Sequence, residues 1–271
     1  MARMTLPETS ELPVGGGRIL RFCRYGPPDG VPVIAHNGSP SSRWKWPWLV
    51  EAVARSGVRL LVYDRPGYGG SSRQPGRIVA DAADDVRRLA DAHGWRRFGL
   101  FGGSAGGPHA LACAALLAER VTRCAVVSGI KPAEGRAAAA DESAVRSRIA
   151  ETAAQILAQI DAGGPELPGQ PGPPARTDPD AMARIRATFV DSIDGWVDDS
   201  LALARPWGFE PDSITVPVGI WRGTDDPHVP SDHADWLVAH LRTAQAHRYP
   251  GGHVPDASVY AQIYGWLSAG A

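Results

Sequence analysis

The part of the chain that most constrains its fold is a glycine-rich segment, Leu100-Phe101-Gly102-Gly103-Ser104-Ala105-Gly106-Gly107-Pro108. It follows a short apolar run, residues 98–101, and precedes a stretch rich in Ala and Leu, so it is expected to join a strand to a helix. A sharp turn of this kind brings the two backbones close together, and only residues without side chains fit where they touch. The glycines therefore predict a tight strand–turn–helix unit with Ser104 at its apex.

Gly102, Ser104 and Gly106 form the pattern Gly-x-Ser-x-Gly, which between a strand and a helix is typical of a nucleophile elbow. Ser104 would stand beside the first turn of the helix, where free N–H groups and the helix dipole stabilise a developing negative charge. A glycine-rich turn without any chemistry explains the same short pattern equally well, because short motifs also occur by chance. The rest of the chain has to distinguish the two interpretations.

Length and charge exclude several classes of protein. A chain of 271 residues can bury about three quarters of its unfolded surface, so one domain with an inserted segment is expected. A formal net charge of −1 gives no reason to expect nucleic acid or an anionic membrane as a partner. No stretch reaches transmembrane length and no apolar leader is visible, which predicts a cytoplasmic protein. Cys23, Cys113 and Cys124 have no zinc-site spacing and are expected to be small apolar residues in a reducing compartment.

Short apolar runs alternate with helical patterns along most of the chain. Strands are predicted at 18–25, 31–35, 58–63, 97–101, 123–128, 216–221 and 246–249, and helices at 48–54, 79–93, 108–120, 231–241 and 256–268, after a poorly ordered segment at 1–15. Strands that are apolar on both faces and alternate with helices predict an α/β fold, a doubly wound and mostly parallel sheet with helices on both faces. Ligands of such sheets bind beyond the carboxyl ends of the strands, where the glycine-rich turn lies.

The alternation stops between residues 131 and 205. No convincing strand is visible there; helices are predicted at 137–160 and 180–197, with a Pro/Gly-rich connector at 163–179. Such an insertion divides the chain into a first core part at 1–130, a helical lid at 131–205 and a second core part at 206–271. Lids with Pro/Gly hinges control access to a site. A surface decoration that has no role in access is the alternative.

A serine nucleophile needs a neighbouring base, which is oriented by a third group. The sequence offers Asp226 after the strand at 216–221 and His253 after the last strand, in the chain order serine, acid, histidine. On these features the chain resembles the Ser-nucleophile proteins of the α/β-hydrolase fold superfamily, whose sheet is of the eight-stranded type, over nearly its whole length. The matching stretches are His36-Asn37-Gly38-Ser39-Pro40, Asp64-Arg65-Pro66-Gly67-Tyr68-Gly69, Gly102-Gly103-Ser104-Ala105-Gly106-Gly107, Gly223-Thr224-Asp225-Asp226-Pro227-His228-Val229-Pro230 and Gly252-His253.

The resemblance implies a role for each of these groups. Asp226 rather than Asp225 fits the family pattern Gly-x-x-Asp-x-x-Val-Pro, and Asp225 is expected in a solvated turn. A turn or helix-capping carboxylate is the alternative for Asp226, and a buried structural histidine is the alternative for His253. The oxyanion hole is expected to use the backbone N–H of Ala105 and a second N–H from Ser39, with Gly38 left open as the donor instead.

Residues that line the substrate pocket are harder to predict. His36 is expected to support the oxyanion loop, and Arg65 to brace the structure by pairing with a carboxylate. Tryptophans near the expected site are either an apolar pocket lining or packing between lid and core, and the sequence does not distinguish these two roles. The candidates for substrate contact are Trp44, His109, Trp196 and Trp207, with Trp46 and Trp48 beside the first of them.

The resemblance implies a cofactor-independent serine hydrolase without a metal site, which acts on an ester, lactone, thioester or amide of a small apolar molecule. C–C bond hydrolysis and cleavage of peptides at a terminal proline use the same triad and stay open. A ligand-binding receptor or scaffold on the same fold is the alternative outside enzymes. The absence of an Asp nucleophile argues against haloalkane dehalogenase and epoxide hydrolase chemistry. The expected partner is a small acyl compound, and a homodimer is left open.

Overall fold

The computed structural model describes residues 6–133, 141–162 and 179–270. Eight strands in these residues form one sheet. Their order across the sheet is β1 (Ser10–Gly15), β2 (Arg18–Tyr25), β4 (Val58–Tyr63), β3 (Val31–His36), β5 (Phe98–Gly103), β6 (Val121–Val127), β7 (Val218–Gly223) and β8 (Ala244–Tyr249). The pairs β1–β2 and β2–β4 are antiparallel and the other five pairs are parallel, which confirms the predicted mostly parallel α/β sheet.

Helices cover both faces of the sheet, because the central strands are apolar on both sides. Leu61 and Tyr63 of β4 face one side, where they belong to the same apolar cluster as α2 (Ala82–Ala92), α3 (Gly106–Leu116) and α7 (Ser231–His240). Leu60 and Val62 face the other side, with α1 (Pro47–Arg55) and α8 (Ala257–Ser268). Because successive side chains alternate between the two faces, each strand packs between two helical layers, and the strand ends are left to carry the site.

The first strand corrects the prediction that residues 1–15 are poorly ordered. Ser10–Gly15 pairs antiparallel with β2, and Val14 is only 2 % exposed. Leu12 packs against the same apolar cluster as Val14. Two apolar residues at alternate positions are enough for an edge strand, although this alternation is too short to be distinguished from a loop in the sequence. Residues 1–5 lie outside the described part.

A helical insertion at 142–203 separates β6 from β7, as predicted. It contains α4 (Glu142–Asp161), α5 (Pro179–Ile185), a π-helical turn (Arg186–Val190) and α6 (Asp194–Leu203). The predicted single helix at 180–197 is wrong, since the chain leaves helical geometry between this turn and α6. The N–H of Gly195 donates to the carbonyl of Gly67, and a Cβ at Gly195 would lie 2.4 Å from the Tyr68 ring, so the chain turns here to meet the loop after β4. The predicted connector at 163–178 lies outside the described residues.

The three cysteines are free and buried. In the part of the chain described, no helix combines the length and the apolar character needed to cross a bilayer.

Candidate active site

Ser104 lies at the turn between β5 and α3, with a φ of 51°. Positive φ is uncommon for a residue with a side chain and costs on the order of 1–3 kcal/mol. The flanking glycines are required by space: a Cβ at Gly102 would lie 2.7 Å from the Gly106 carbonyl oxygen, and a Cβ at Gly106 would lie 2.2 Å from that of His36. The N–H of Ser104 donates to Val127, which ties the turn to the next strand. Ser104 is thereby held at the carboxyl edge of the sheet.

His253 and Asp226 come together at the same edge. Nδ1 of His253 lies 2.9 Å from Oδ2 of Asp226 and 3.1 Å from Oδ1. Asp226 Oδ1 also accepts from the backbone N–H groups of His228 at 2.8 Å and Val229 at 3.1 Å. Burial alone would raise the pKa of Asp226, but these backbone donors and His253 outweigh it and hold the pKa below its ordinary value. An ionised Asp226 therefore fixes the imidazole with Nε2 as its free nitrogen, whereas Asp225 is exposed.

Ser104 and His253 line one cavity of about 170 Å³. Neither Ser104 Oγ nor His253 Nε2 has a hydrogen-bond partner among the described residues, so both atoms are available to a ligand. Within those same residues, no three His, Cys, Asp or Glu side chains converge on a point that would hold a metal ion. The cavity thus contains a hydroxyl and an imidazole whose other nitrogen faces a carboxylate.

Ser128 and Tyr249 position the His253 loop, and neither was predicted from the sequence. Ser128 directly follows β6 and has a φ of 49°, and its hydroxyl donates to the carbonyl of His253 at 2.8 Å. The Tyr249 hydroxyl donates to the same carbonyl at 3.3 Å and lies 3.1 Å from Ser128 Oγ. The available signal was a serine directly after a buried strand, as at Ser104.

Three backbone N–H groups are placed to form an oxyanion hole. Those of Gly38, Ser39 and Ala105 donate no hydrogen bond within the described part of the chain. Ala105 precedes the first residue of α3, and Gly38 and Ser39 line the cavity. A Cβ at Gly38 would lie 3.3 Å from the Ser104 Cβ, so this loop passes directly beside the serine. Free donors on both sides of Ser104 match what a carbonyl oxygen needs as it gains charge.

A buried group of charges holds the loop at residues 37–40 in place. We call it the Asp199 cluster; its members are Asp199 of α6, Arg65, Arg77, Tyr68 and Ser39. Arg65 and Arg77 both pair with Asp199, and the side chains of all three are at most 3 % exposed. Arg65 also donates to the carbonyl of Asn37 and, at 2.9 Å, to Ser39 Oγ. Burial alone would raise the pKa of Asp199, but the two guanidinium groups outweigh it and hold that pKa well below its ordinary value.

The structure places one of the four predicted substrate contacts at the cavity and the other three elsewhere. Trp44 lines the cavity beside Ser104, together with Trp46 and Trp48. His109, Trp196 and Trp207 lie elsewhere. His109 is 1 % exposed beneath the loop, where burial lowers its pKa to about 3. Trp196 packs on Phe189 inside the insertion, and Trp207 stacks on Phe209 in a separate groove. These three side chains are held by packing, and we place them outside the substrate cavity.

Two cationic side chains line the cavity without having been singled out in the sequence. They are Lys45, which follows Trp44, and Arg184 of α5. The Lys45 ammonium donates to the side-chain oxygen of Asn37. The Arg184 guanidinium lies 3.8 Å from the centre of the Trp46 ring. A single lysine among tryptophans carries no spacing signal, and Arg184 reaches the cavity only through the fold of the insertion.

Comparisons with known proteins give a consistent result. A family model described as alpha/beta hydrolase fold matches residues 31–160. The chain is 26 % identical over 268 residues to a putative carbamate hydrolase, RutD, of Variovorax paradoxus, covering 89 % of this chain and 92 % of that protein. Epoxide hydrolase A of Mycobacterium tuberculosis is 32 % identical over 152 residues, 55 % of this chain and 47 % of that protein. A thermophilic esterase from Thermogutta terrifontis superposes with a TM-score of 0.71 at 22 % identity, covering 96 % and 98 % of the two chains, and shares the fold.

Proposed function

We propose that this chain is a serine hydrolase of the α/β-hydrolase fold superfamily and that it cleaves esters, lactones, thioesters or amides through Ser104, His253 and Asp226. One observation carries the proposal: a serine held at positive φ shares a small cavity with a histidine whose Nδ1 faces a carboxylate. The strain at Ser104 is maintained by glycines on both sides, which a turn without chemistry does not require. A ligand-binding scaffold would not need all three groups.

The reaction follows from the roles that this geometry permits. Ser104 Oγ attacks the carbonyl carbon while His253 Nε2 takes its proton, and Asp226 stabilises the imidazolium that forms. The N–H groups of Ala105 and of Ser39 or Gly38 bind the oxyanion, and each such donor is worth about 2.7–4 kcal/mol in the transition state. His253 then protonates the leaving group, and a water molecule releases the acyl group by the same steps in reverse order.

The names of these relatives describe hydrolases, and the bonds in those names differ. A carbamate, as in the name of the Variovorax protein, has a carbonyl carbon that a serine hydroxyl can attack. Epoxide opening calls for a carboxylate nucleophile, and the nucleophile position here holds Ser104. Hydrolysis of a C–C bond or of a peptide after proline uses the same triad. We therefore propose acyl transfer to water as the reaction. Assays of an ester beside a C–C bond substrate and a peptide with a terminal proline distinguish the three reactions.

A fluorophosphonate reagent tests the serine directly. The intact mass of the treated protein should show one adduct, which should be absent from Ser104→Ala and formed much more slowly by His253→Ala. Ser213→Ala, a change at an exposed turn outside the cavity, should label like the wild type. Equal labelling of Ser104→Ala would place the reactive group elsewhere, and an unlabelled but folded wild type would refute the serine mechanism.

Asp226→Asn tests the orienting role. The amide cannot hold the imidazole in the same tautomer, so kcat for an ester substrate should fall by about 10⁴-fold, with a much smaller change in KM. Asp225→Asn is the matched control, because this neighbouring carboxylate is exposed and accepts a hydrogen bond from the hydroxyl of Thr224. A comparable loss of kcat in both variants would show that Asp226 is not the specific orienting acid.

A further inference from the structure

Lys45 places a primary amine at the wall of the catalytic cavity. It lines the cavity together with Ser104 and His253, and the residue is only partly buried, so it contributes to the surface that a bound molecule meets. The sequence contains two lysines, and the other one, Lys131, does not line this cavity. Among the described residues of the lining none is acidic. The cavity therefore holds an amine beside the serine and the imidazole.

A neutral partner holds this amine in place. The Lys45 nitrogen donates to the side-chain oxygen of Asn37, and the amide nitrogen of Asn37 donates to the carbonyl of Ser42 at 2.9 Å. The second contact fixes the amide with its oxygen toward Lys45. An amide oxygen accepts a hydrogen bond from an ammonium group or from a neutral amine, because both carry N–H groups. The contact therefore survives the loss of the charge, and the neutral amine keeps its lone pair.

The charged groups around Lys45 disfavour its ammonium form. Arg184 from α5 and Arg65 from the segment after β4 both oppose the charge. Asp64 favours it, but this carboxylate is already bound by the guanidinium and the backbone N–H of Arg43. Burial first, and Arg184 second, lower the pKa of Lys45 from 10.5 to about 7. A large share of the amine is then neutral near pH 7, where an ordinary lysine is almost entirely protonated.

The loop that Lys45 contacts also offers donors for a carbonyl oxygen. Asn37 is followed by Gly38 and Ser39, whose backbone N–H groups donate no hydrogen bond within the described part of the chain. Both residues line the same cavity as Lys45. A carbonyl oxygen that accepts from these groups is polarised, which makes the carbonyl carbon more electrophilic. The arrangement thus brings a neutral amine and a carbonyl-binding loop to one small space.

We propose that Lys45 is a second reactive group of this cavity, an amine that forms an imine with small aldehydes. The nitrogen lone pair forms a bond to the aldehyde carbon, the π electrons of the C=O bond move to oxygen, and a proton passes from nitrogen to oxygen. The hydroxyl then leaves with the remaining proton of the nitrogen as one water molecule, and a C=N bond replaces the C=O bond. No oxidant or reductant is consumed. A cavity of about 170 Å³ limits the aldehyde to a small molecule.

Reductive trapping tests the site in the complete protein. Butanal and sodium cyanoborohydride at pH 7 convert an imine into a stable butyl amine, which the intact mass reports and peptide mapping assigns. Lys45 should be modified about tenfold faster or more than Nα-acetyllysine in the same solution, because far more of its amine is neutral. Lys131, which pairs with Asp232 at 3.0 Å, should react no faster than the free amino acid. Equal rates at Lys45 and Nα-acetyllysine would refute the proposal.

Variants separate the amine from the serine and from the fold. Lys45→Met should lose the fast modification, whereas Lys131→Met, the matched control, should keep it. Ser104→Ala should also keep it, since the serine takes no part in the imine. Fast modification that persists in Lys45→Met would assign the reactive amine incorrectly. If Lys45→Met does not fold, peptide mapping of the wild type still decides, because a modification that requires unfolding in urea would overturn the site.

The pH dependence of labelling gives a second, independent answer. Trace acetic anhydride labels only neutral amines, and Ser104→Ala is used so that the serine does not consume the reagent. Acetylation of Lys45 should level off above a midpoint near pH 7, whereas that of Nα-acetyllysine should rise until about pH 10. His253 and Tyr260 are the other titratable groups that line the cavity with Lys45 and Arg184, and peptide mapping keeps their labelling apart. A profile like that of Nα-acetyllysine would contradict the proposal.

The outcomes also separate this site from the proposed hydrolase. A fluorophosphonate adduct on Ser104 without trapping at Lys45 overturns the amine site and leaves the serine mechanism intact. Trapping at Lys45 in a folded protein that forms no fluorophosphonate adduct does the reverse.

Discussion

Two pairs of cations lie on either side of the loop at residues 37–40. On one side Arg65 and Arg77 share Asp199, and on the other side Lys45 and Arg184 face the cavity. The loop is bound from both sides, because Arg65 donates to the carbonyl of Asn37 and Lys45 donates to its side chain. The first pair has its carboxylate inside the fold. In the second pair, Lys45 donates to the side-chain oxygen of Asn37, and the Arg184 guanidinium lies over the Trp46 ring.

The comparison shows that the free-energy cost of burying a charge is met differently on the two sides of the loop. Removing a charge from water is unfavourable unless a partner of opposite charge and good geometry replaces the water. In the Asp199 cluster that partner belongs to the chain, so the cluster can only hold the structure in one arrangement. At the cavity wall, Lys45 donates instead to the neutral side chain of Asn37. The loop between them carries the candidate oxyanion donors, and Arg65 and Lys45 both bind it at Asn37.

Asp199→Asn should produce the largest effect, because it leaves two buried guanidinium groups without their counter-charge. Breaking a buried ion pair in this way costs about 3–5 kcal/mol of stability. The control is Asp194→Asn in the same helix: its side chain is 35 % exposed and pairs with Arg146, so it should cost less than about 1 kcal/mol. Thermal or urea unfolding measures both. Similar losses in the two variants would show that the cluster does not differ from a surface pair.

The same pair predicts the pH dependence of that loss. The pKa of Asp199 is lowered in the folded protein, so its contribution is complete above the ordinary carboxyl pKa and disappears as the pH falls through the lowered value. The stability difference between wild type and Asp199→Asn should accordingly be constant near neutrality and shrink in acid. A difference that grows in acid would contradict this assignment.

Arg65→Gln should affect catalysis more than binding. The variant loses the contacts to the carbonyl of Asn37 and to Ser39 Oγ, while Arg77 still pairs with Asp199. A small displacement of the oxyanion donors should lower kcat by roughly 10–100-fold with little change in KM. Steady-state kinetics with an ester substrate gives kcat and KM separately. If stability falls while kcat is unchanged, Arg65 supports the fold and does not position the donors.

Tyr68→Phe should give the smallest change. Its hydroxyl donates to Asp199 at 3.0 Å, but both guanidinium groups remain in place. The loss of one hydrogen bond to a carboxylate that keeps its ion pairs should cost about 1–2 kcal/mol. Thermal unfolding beside the wild type measures it. A loss of stability as large as that of Asp199→Asn would mean that the Tyr68 hydroxyl, and not the charge of Asp199, accounts for the stability of the cluster.

The fold was accessible from the sequence because its signals are local. The strand Val58–Tyr63 was predicted at its observed ends, since an uninterrupted apolar run between a turn and a glycine-rich loop has few other interpretations. Asp226, His253 and Ser104 were proposed because each follows a predicted strand, and the ends of parallel strands meet at one edge. Their catalytic roles stay predictions until the serine reagent has been tried.

Other parts of the site depend on distances that the sequence does not reveal. Asp199 meets Arg65 across 134 positions of chain, and no motif connects them. Arg184 reaches the cavity from an insertion whose path depends on the close contact between Gly195 and Tyr68. Trp196 and Trp207 look like Trp44 in the sequence, and only tertiary packing places them elsewhere. Local pattern therefore predicted the candidate reacting groups, whereas the buried groups around them became visible only in three dimensions.

The contact between α6 and the loop after β4 has a consequence for protein engineering. Exchanging the inserted helices for those of another protein with the same fold is an obvious way to alter substrate choice. Here the exchange would remove Asp199 and leave Arg65 and Arg77 buried in the acceptor without an anion. A working chimera must therefore carry an acidic residue at the equivalent of Asp199, or replace both arginines at the same time. The insertion and the sheet have to be inherited together.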